Sequence, residues 1–323
     1  MTVQQDASPE HRPAAIIGGG SIGVSFAVSL LSSGRSVQLQ DPDAARLKQV
    51  PAETRARLET LRDAGLTTAD PDAALERLSL FTDLEKAAEG VSLVIECAPE
   101  KLALKQQIFR TLGEYAPDDA VLASASSALL ASEIAADLPH RDRCLILHPV
   151  NPPHVIPVLE VAPAEFTSAA ATDSAMRQMA AAGFQPVLIG KEANGLVFNR
   201  LQGAILREAY CLVRDGVATP EAIDEVVRDA LGMRWSVSGP FETVDLNTRG
   251  GIASHAEKMG PAYLKMGRER GQDDPWTPEM VKTVETARRR QLPMEEWESR
   301  VRWRENALMR LAAFRRRDAG ADG

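Results

Sequence analysis

A glycine-rich segment near the start of the chain constrains the fold more than any other feature. Gly18, Gly20 and Gly23 have the spacing GxGxxG, follow the apolar run 14–17 directly and open an amphipathic stretch. In that context the first glycine permits a tight turn, the second lets the backbone approach a pyrophosphate, and the third lets helix and strand pack. The free N–H groups at the start of the helix suit phosphates. The segment therefore predicts the strand, turn and helix that begin a dinucleotide-binding fold.

An acidic residue stands where such a fold binds a ribose. Asp41 ends the second apolar run and lies 23 residues after Gly18 (41 − 18 = 23), close to the ~20 expected. A carboxylate there accepts both ribose hydroxyls and repels the 2′-phosphate of NADP, so the predicted cofactor is NAD. The alternative is a glycine-rich turn with a helix cap at Asp41. The register of strand, glycines, helix and acid argues against that alternative.

Short apolar runs alternate with longer amphipathic segments as far as residue 190. The runs lie at 14–17, 37–39, 78–81, 93–97, 121–123, 144–147, 158–161 and 187–189. They are rich in Val, Ile and Leu and are bounded by Gly, Pro or Asp, which is typical of buried strands. The helix-like segments between them are 22–33, 44–64, 102–115, 131–136 and 169–182. This alternation predicts an α/β fold with a Rossmann-like, doubly wound, mainly parallel sheet.

The pattern changes near residues 191–194. Beyond residue 195 the sequence shows no strand pattern and has helix-like segments at 196–214, 220–231, 254–270, 277–290 and 295–314, separated by Gly and Pro. We expect a disordered lead over 1–12, an NAD-binding Rossmann-like domain over 13–192, and an all-α domain over 193–323 that completes the substrate site.

Composition excludes several other classes of protein. The chain has 323 residues, enough for two domains. Its formal net charge of −8 disfavours a nucleic-acid partner, and no apolar run is long enough to predict a membrane span. Cys97, Cys144 and Cys211 form no CxxC pair, which argues against a disulfide framework and a metal site. Without a signal-peptide pattern, a cytoplasmic location is the expectation.

Two residues in the middle of the chain are candidates for proton transfer. His148 stands at the end of the sixth apolar run, and ligands bind at strand carboxyl ends in open α/β sheets. Glu160 interrupts an otherwise apolar run. A buried carboxylate is normally paired, and we expect the His148 imidazole as its partner, forming a base that works near neutral pH. The alternative is a structural histidine beside a Pro-rich turn, and spacing does not decide between the two.

Polar residues at two further places admit two interpretations. Ser124, Ser126 and Ser127 follow the fifth run, either as a loop with a helix cap or as part of a site. Asn199 lies within an apolar helical segment, where it either caps the helix or donates into a cleft.

Taken together, these segments resemble the 3-hydroxyacyl-CoA dehydrogenase family, and within it the branch of lambda-crystallin and L-gulonate 3-dehydrogenase. The resemblance covers nearly the whole chain from residue 14. It rests on IIGGGSIG, IECAPEKLALK, ASASSAL, HPVNPPHVIPVLEV, GLVFNRLQ, MRWSVSGPFETVDLN and WRENALMRL. The HPVNPP and SGPFETVDLN segments are far more specific than the glycine motif.

The resemblance implies a role for each matching position. The catalytic set is the base His148, the orienting acid Glu160, the substrate-hydroxyl contact Ser127, and Asn199. The implied cofactor-binding positions are Gly18, Gly20, Ser21, Ile22, Gly23, Asp41, Glu100 and Lys105, the last two as nicotinamide contacts. One departure concerns Ala125, since acyl-CoA enzymes usually have asparagine there. The resemblance also implies a homodimer.

The predicted reaction is NAD-dependent oxidation of the secondary alcohol of a small, L-gulonate-like 3-hydroxy acid. Residues 43–83 hold six basic and eight acidic side chains, so they offer no net positive patch for the phosphates of CoA. A free acid needs a carboxylate clamp, for which Arg234 and Arg249 are candidates; the alternative is that both are ordinary surface arginines.

Other functions stay open at this stage. The first alternative is a 3-hydroxyacyl-CoA, carnitine or diketone-type dehydrogenase. The second is a non-catalytic crystallin-like or NAD-sensing protein, but such a protein need not keep Ser127, His148, Glu160 and Asn199 together.

Overall fold

The computed structural model describes residues 9, 11–236, 238–249, 251–269, 279, 286, 290 and 293–319. The chain divides into two compact units: Met1–Arg200 with Val301–Gly323, and Leu201–Arg300. Most of the expected disordered lead over 1–12, and nearly all of the helix expected over 277–290, lie outside the described residues. Within the lead, Arg12 is described and forms an ion pair with Asp119 at 2.7 Å.

One eight-stranded sheet forms the centre of the first unit. Its strands are β1 (Ala14–Ile17), β2 (Val37–Gln40), β3 (Leu78–Phe81), β4 (Leu93–Glu96), β5 (Val121–Ser124), β6 (Cys144–Pro149), β7 (Val158–Pro163) and β8 (Gln185–Leu188). The spatial order is β3-β2-β1-β4-β5-β6-β7-β8. Neighbouring strands are parallel except for the pair β6 and β7, which is antiparallel. The last strand, β8, is parallel to β7. The order reverses between β1 and β4, which is where doubly wound sheets bind ligands.

Helices cover both faces of this sheet, as predicted. They are α1 (Ser21–Ser32), α2 (Ala44–Asp63), α3 (Pro71–Leu75), α4 (Leu84–Ala88), α5 (Leu102–Tyr115), α6 (Ala131–Ile134) and α7 (Ala169–Ala181). Alternate residues of β1 point to opposite faces. Ile16 joins a core with residues of α1, α2 and α7, and Ile17 joins a core with residues of α4, α5 and α6. Burial of apolar side chains on both faces is what holds a parallel sheet together.

The later part of the chain is helical. Its helices are α8 (Leu196–Arg214), α9 (Pro220–Val226), α10 (Gly232–Trp235), α11 (Pro240–Asn247), α12 (Gly251–Glu269) and α13 (Trp297–Ala319). Residues 227–231 continue α9 as a π-helical turn. Within the second unit, the Asp245 carboxylate accepts the N–H of Ile252 at 2.8 Å, at the start of α12.

The last helix returns to the first unit. Met309 on α13 is 4% exposed and is part of the core formed with α1 and α2. The sequence placed residues 301–323 in the helical domain, whereas by contacts they cluster with the sheet. The division into functional domains at about residue 192 stays a prediction. None of the helices in the described part of the chain has the length and apolarity that a bilayer crossing requires.

Candidate active site

The glycine turn after β1 leaves no room for side chains at two of its positions. Gly18 has φ +108°, a conformation that favours glycine, and a Cβ there would lie 2.8 Å from the Cys97 carbonyl oxygen. A Cβ at Gly23 would overlap the Gly18 carbonyl oxygen. At Gly20, by contrast, a Cβ would meet open space. The turn is therefore packed against β4 and α1 on one side and open at the middle glycine, which fits the approach of a pyrophosphate.

The first turn of α1 has free donors. Four neighbouring helices have an acidic or hydroxyl cap, for example Asp43 on α2 and Ser168 on α7, whereas α1 begins at Gly20 with no side-chain cap. Unpaired N–H groups at a helix N-terminus bind anions. Ser21 is exposed at this turn and Ile22 packs partly against the core. This arrangement fits the phosphates of a dinucleotide.

Asp41 is held beside the glycine turn. Its Oδ2 accepts the Gly19 N–H at 2.8 Å, and the Arg46 Nε donates to the Gly19 carbonyl at 2.7 Å. The N–H and the carbonyl group of Gly19 are thus both held by side chains. Asp41 also lines a cavity of about 550 Å³ at the carboxyl ends of β1, β2 and β4, a size suited to half of a dinucleotide. These residues fit NAD, with Asp41 placed for the ribose hydroxyls.

His148 and Glu160 form a buried pair. The register places them directly opposite each other on β6 and β7, and the His148 Nδ1 lies 2.7 Å from the Glu160 Oε2. Both residues are 4% exposed. A carboxylate only accepts hydrogen bonds, so Nδ1 carries the proton and Nε2 has the free lone pair. The sequence predicted this partnership, and the structure brings the two side chains together.

The other oxygen of Glu160 caps a helix. Its Oε1 accepts the N–H groups of Val197 at 2.8 Å and Phe198 at 3.0 Å, in the first turn of α8. The Phe198 ring lies 6.4 Å from the His148 ring, centroid to centroid. The carboxylate is therefore fixed by three donors, which offsets the cost of its burial.

Asn199 and Ser127 also lie close together. The Asn199 Nδ2 donates to the Ser127 carbonyl oxygen at 3.4 Å, and Ser127 is exposed on the loop after β5. The contact links the first turn of α8 to that loop. The roles of both residues toward a substrate stay predictions.

A buried glutamate at the end of β4 is not among the predicted site residues. Glu96 is fully buried, and its two carboxylate oxygens lie 2.8 and 2.9 Å from the Lys105 Nζ. It also accepts the Ser124 hydroxyl at 2.6 Å. Lys105 is 1% exposed and donates in addition to the Ala98 carbonyl at 3.1 Å. Its ammonium thus faces protein oxygens, and its expected contact with the nicotinamide stays a prediction.

Glu100 joins the loops that follow β4 and β5. Its carboxylate accepts the Ser126 hydroxyl and the Ala128 N–H, the latter at 3.0 Å. Burial acts to raise the pKa of Glu100. The hydrogen bonds from Ser126 and from Ala128, together with the Lys105 ammonium 3.4 Å away, outweigh burial and hold that pKa below its ordinary value. Glu100 remains 38% exposed on its side chain, so it is both fixed and accessible.

The two candidate clamp residues lie in the second unit. Arg234 is exposed on α10, and Arg249 is exposed shortly after α11. Their role as a carboxylate clamp stays a prediction.

The doubly wound sheet and the glycine turn with Asp41 define a dinucleotide-binding fold, and the family matches make the chain an NAD-dependent dehydrogenase acting on CH–OH groups. The chain belongs to the 3-hydroxyacyl-CoA dehydrogenase family. Residues 13–193 match that family's NAD binding domain and residues 195–294 match its C-terminal domain. The predicted family, enzyme class and NAD cofactor are confirmed.

Known relatives extend over most of the chain. Lambda-crystallin of Oryctolagus cuniculus is 36% identical over 96% of this chain and 98% of its own length. The L-carnitine dehydrogenase of Pseudomonas aeruginosa is 35% identical over 78% of each chain. Among solved structures, a 5-formyl-3-hydroxy-2-methylpyridine 4-carboxylic acid 5-dehydrogenase, titled an NAD+-dependent dismutase, has a TM-score of 0.80. It is 25% identical and covers 95% of this chain and 98% of that one.

Proposed function

We propose that this protein oxidises the secondary alcohol of a small free 3-hydroxy acid, of the L-gulonate type, to the 3-keto acid, with His148 as the general base. The observation that carries the proposal is the buried pair at the end of β6. The 2.7 Å contact with Glu160 leaves the His148 Nε2 as a proton acceptor at the edge of the sheet where ligands bind.

The residues of the chain account for the proton. The substrate hydroxyl gives its proton to the His148 Nε2, and Glu160 stabilises the imidazolium that forms. Ser127 and Asn199 are proposed to hold the substrate oxygen in line with that nitrogen. Bound NAD supplies the two-electron oxidant for the alcohol carbon. The N–H groups of Val197 and Phe198 hold the second oxygen of Glu160 in place.

The arginines after β2 support a free acid over a CoA thioester. Most of them are paired with acids, as in the ion pairs Arg46–Glu53, Arg55–Asp72 and Arg62–Asp70. A guanidinium already paired with a carboxylate is less available to a phosphate. The substrates named for two relatives, L-carnitine and a pyridine carboxylic acid, are likewise small acids without CoA.

Steady-state kinetics on four substrates tests the proposal. We expect kcat/KM with NAD to be highest for a free acid among L-gulonate, 3-hydroxybutyrate, L-carnitine and 3-hydroxybutyryl-CoA. A thioester preferred by a wide margin would replace the free acid by an acyl-CoA substrate.

Two further features belong to this proposal. We propose a homodimer, supported by large apolar side chains that are more than 70% exposed in the second unit, namely Met233, Phe241 and Leu246. Light scattering in solution tests it, and a monomer at micromolar concentration would contradict it. The cytoplasmic location expected from the sequence stays a prediction.

A further inference from the structure

Three charged side chains form a connected group after β4. The Lys105 ammonium lies between two carboxylates, 2.8 Å from Glu96 and 3.4 Å from Glu100. Two carboxylates and one ammonium leave one net negative charge in this group. Glu96 and Lys105 are buried, whereas Glu100 is partly exposed. The uncompensated charge is therefore accessible at Glu100.

The topology places this group on one side of the cofactor site. Asp41, at the end of β2, marks the adenosine side, and the cavity it lines extends to Ala98 and Pro99, directly before Glu100. The glycine turn after β1 would hold the pyrophosphate. A dinucleotide bound across the reversal of strand order extends from there toward the ends of β4 and β5. Those strands end at Glu96 and Ser124, and Glu100 joins the two loops that follow them. Glu100 thus lies on the nicotinamide side.

We propose that the charge of Glu100 makes this site discriminate between the two redox states of the cofactor, binding NAD+ more tightly than a neutral site would. The oxidised nicotinamide ring carries a positive charge and the reduced ring is neutral. A fixed negative charge nearby attracts only the oxidised form. The inference concerns cofactor binding and does not depend on the substrate proposed above.

The structure keeps that charge in place. The Ser126 hydroxyl and the N–H groups of Ala128 and Leu129 all donate to the Glu100 Oε1, so the carboxylate needs no rearrangement when the cofactor binds. Its pKa is held below the ordinary value, which keeps it ionised at neutral pH. Lys105 offsets only one of the two carboxylates that it contacts, so the group keeps one net negative charge.

Direct binding of NAD+ and NADH to the full chain, without substrate, tests the proposal. Glu100→Gln keeps an oxygen for the three donors, removes the charge, and replaces the oxygen that faces the Lys105 ammonium by an NH₂ group. We expect calorimetry to show the ratio of Kd for NADH to Kd for NAD+ falling on the order of three- to tenfold. Glu100→Asp, which retains the charge, should keep most of the ratio. The matched control is Glu89→Gln, an exposed glutamate after α4, which should leave the ratio unchanged.

The ratio separates an effect of charge from an effect of structure. A disturbed loop weakens both forms of the cofactor alike and leaves the ratio constant. If Glu100→Gln changes both dissociation constants by the same factor, or shifts the ratio toward NAD+, the proposal is wrong.

Discussion

The Glu160 carboxylate joins two parts of the site, with one oxygen 2.7 Å from the His148 Nδ1 and the other on the first turn of α8. Because two backbone N–H groups require an acceptor at Oε1, the carboxylate is fixed in orientation. It then fixes which nitrogen of His148 carries the proton. Residue 160 therefore fixes the orientation of the residue 148 ring as well as its tautomer.

This arrangement predicts the effect of Glu160→Gln. The amide must direct its oxygen to the Val197 and Phe198 N–H groups, so its NH₂ donates to the His148 Nδ1. The proton of the imidazole then moves to Nε2, which blocks the base. We expect kcat to fall about 10²–10⁴-fold, while NAD binding persists and the free energy of unfolding changes by about 1–2 kcal/mol.

Glu165→Gln is the matched control, because this glutamate is exposed on the segment after β7. It should leave kcat unchanged. Turnover of Glu160→Gln within twofold of the wild-type value would show that the carboxylate does not set the tautomer.

The charge and position of Asp41 predict that the enzyme prefers NAD over NADP. Its carboxylate lines the cavity beside the glycine turn, where a 2′-phosphate would meet a like charge. Asp41→Asn should lower the ratio of kcat/KM for NAD to that for NADP by about tenfold or more. Asp43→Asn, which removes a nearby charge outside the cavity lining, should leave the ratio close to the wild-type value. An unchanged ratio in Asp41→Asn would show that another group selects the cofactor.

The lowered pKa of His154 predicts that the protein loses stability in mild acid. Burial, and then the Arg57 guanidinium, lower the pKa of His154 from 6.5 to about 4. Between these two values the unfolded chain binds a proton that the folded chain excludes. The free energy of unfolding therefore falls as the pH drops from about 6.5 to 4. At pH 5 this one group accounts for about 2 kcal/mol of the decrease.

Urea denaturation at pH 7.5 and pH 5 measures this contribution. The variant His154→Gln cannot take up the proton, so its free energy of unfolding should fall less over that interval than the wild-type value does. Equal decreases in both proteins would contradict the account of His154.

The sequence predicted the sheet well because its central strands β1, β4, β5 and β6 are buried along their whole length. Apolar runs of three to five residues, rich in Val, Ile and Leu, favour strands when they lie between amphipathic helices, and all eight runs became strands. The short helices α3 and α4 were not predicted, because five residues are too few to show the helical spacing of apolar side chains. Their N-cap residues, Asp70 and Asp83, are nevertheless typical of helix starts. The antiparallel direction of β7 depends on how β6 and β7 connect, which periodicity does not reveal.

The sequence predicted some contacts of the candidate site and missed others. A carboxylate within an otherwise apolar run drew attention to Glu160, and the same signal is present at Glu96 within the run 93–97. The difference is that Glu96 pairs with Lys105 on the following helix, and the sequence does not show which side chain reaches which. The contact between Asn199 and Ser127 spans 72 residues, and only the folded chain brings those residues together.

The most direct test of the central claim is the turnover of His148→Gln with saturating NAD and the preferred hydroxy acid. Glutamine fills the buried position without acting as a base at neutral pH. The account predicts that kcat falls about 10²–10⁴-fold, that calorimetry still detects NAD binding, and that His11→Gln, at an exposed histidine, turns over normally. Turnover of His148→Gln close to the wild-type rate would show that His148 is not the general base.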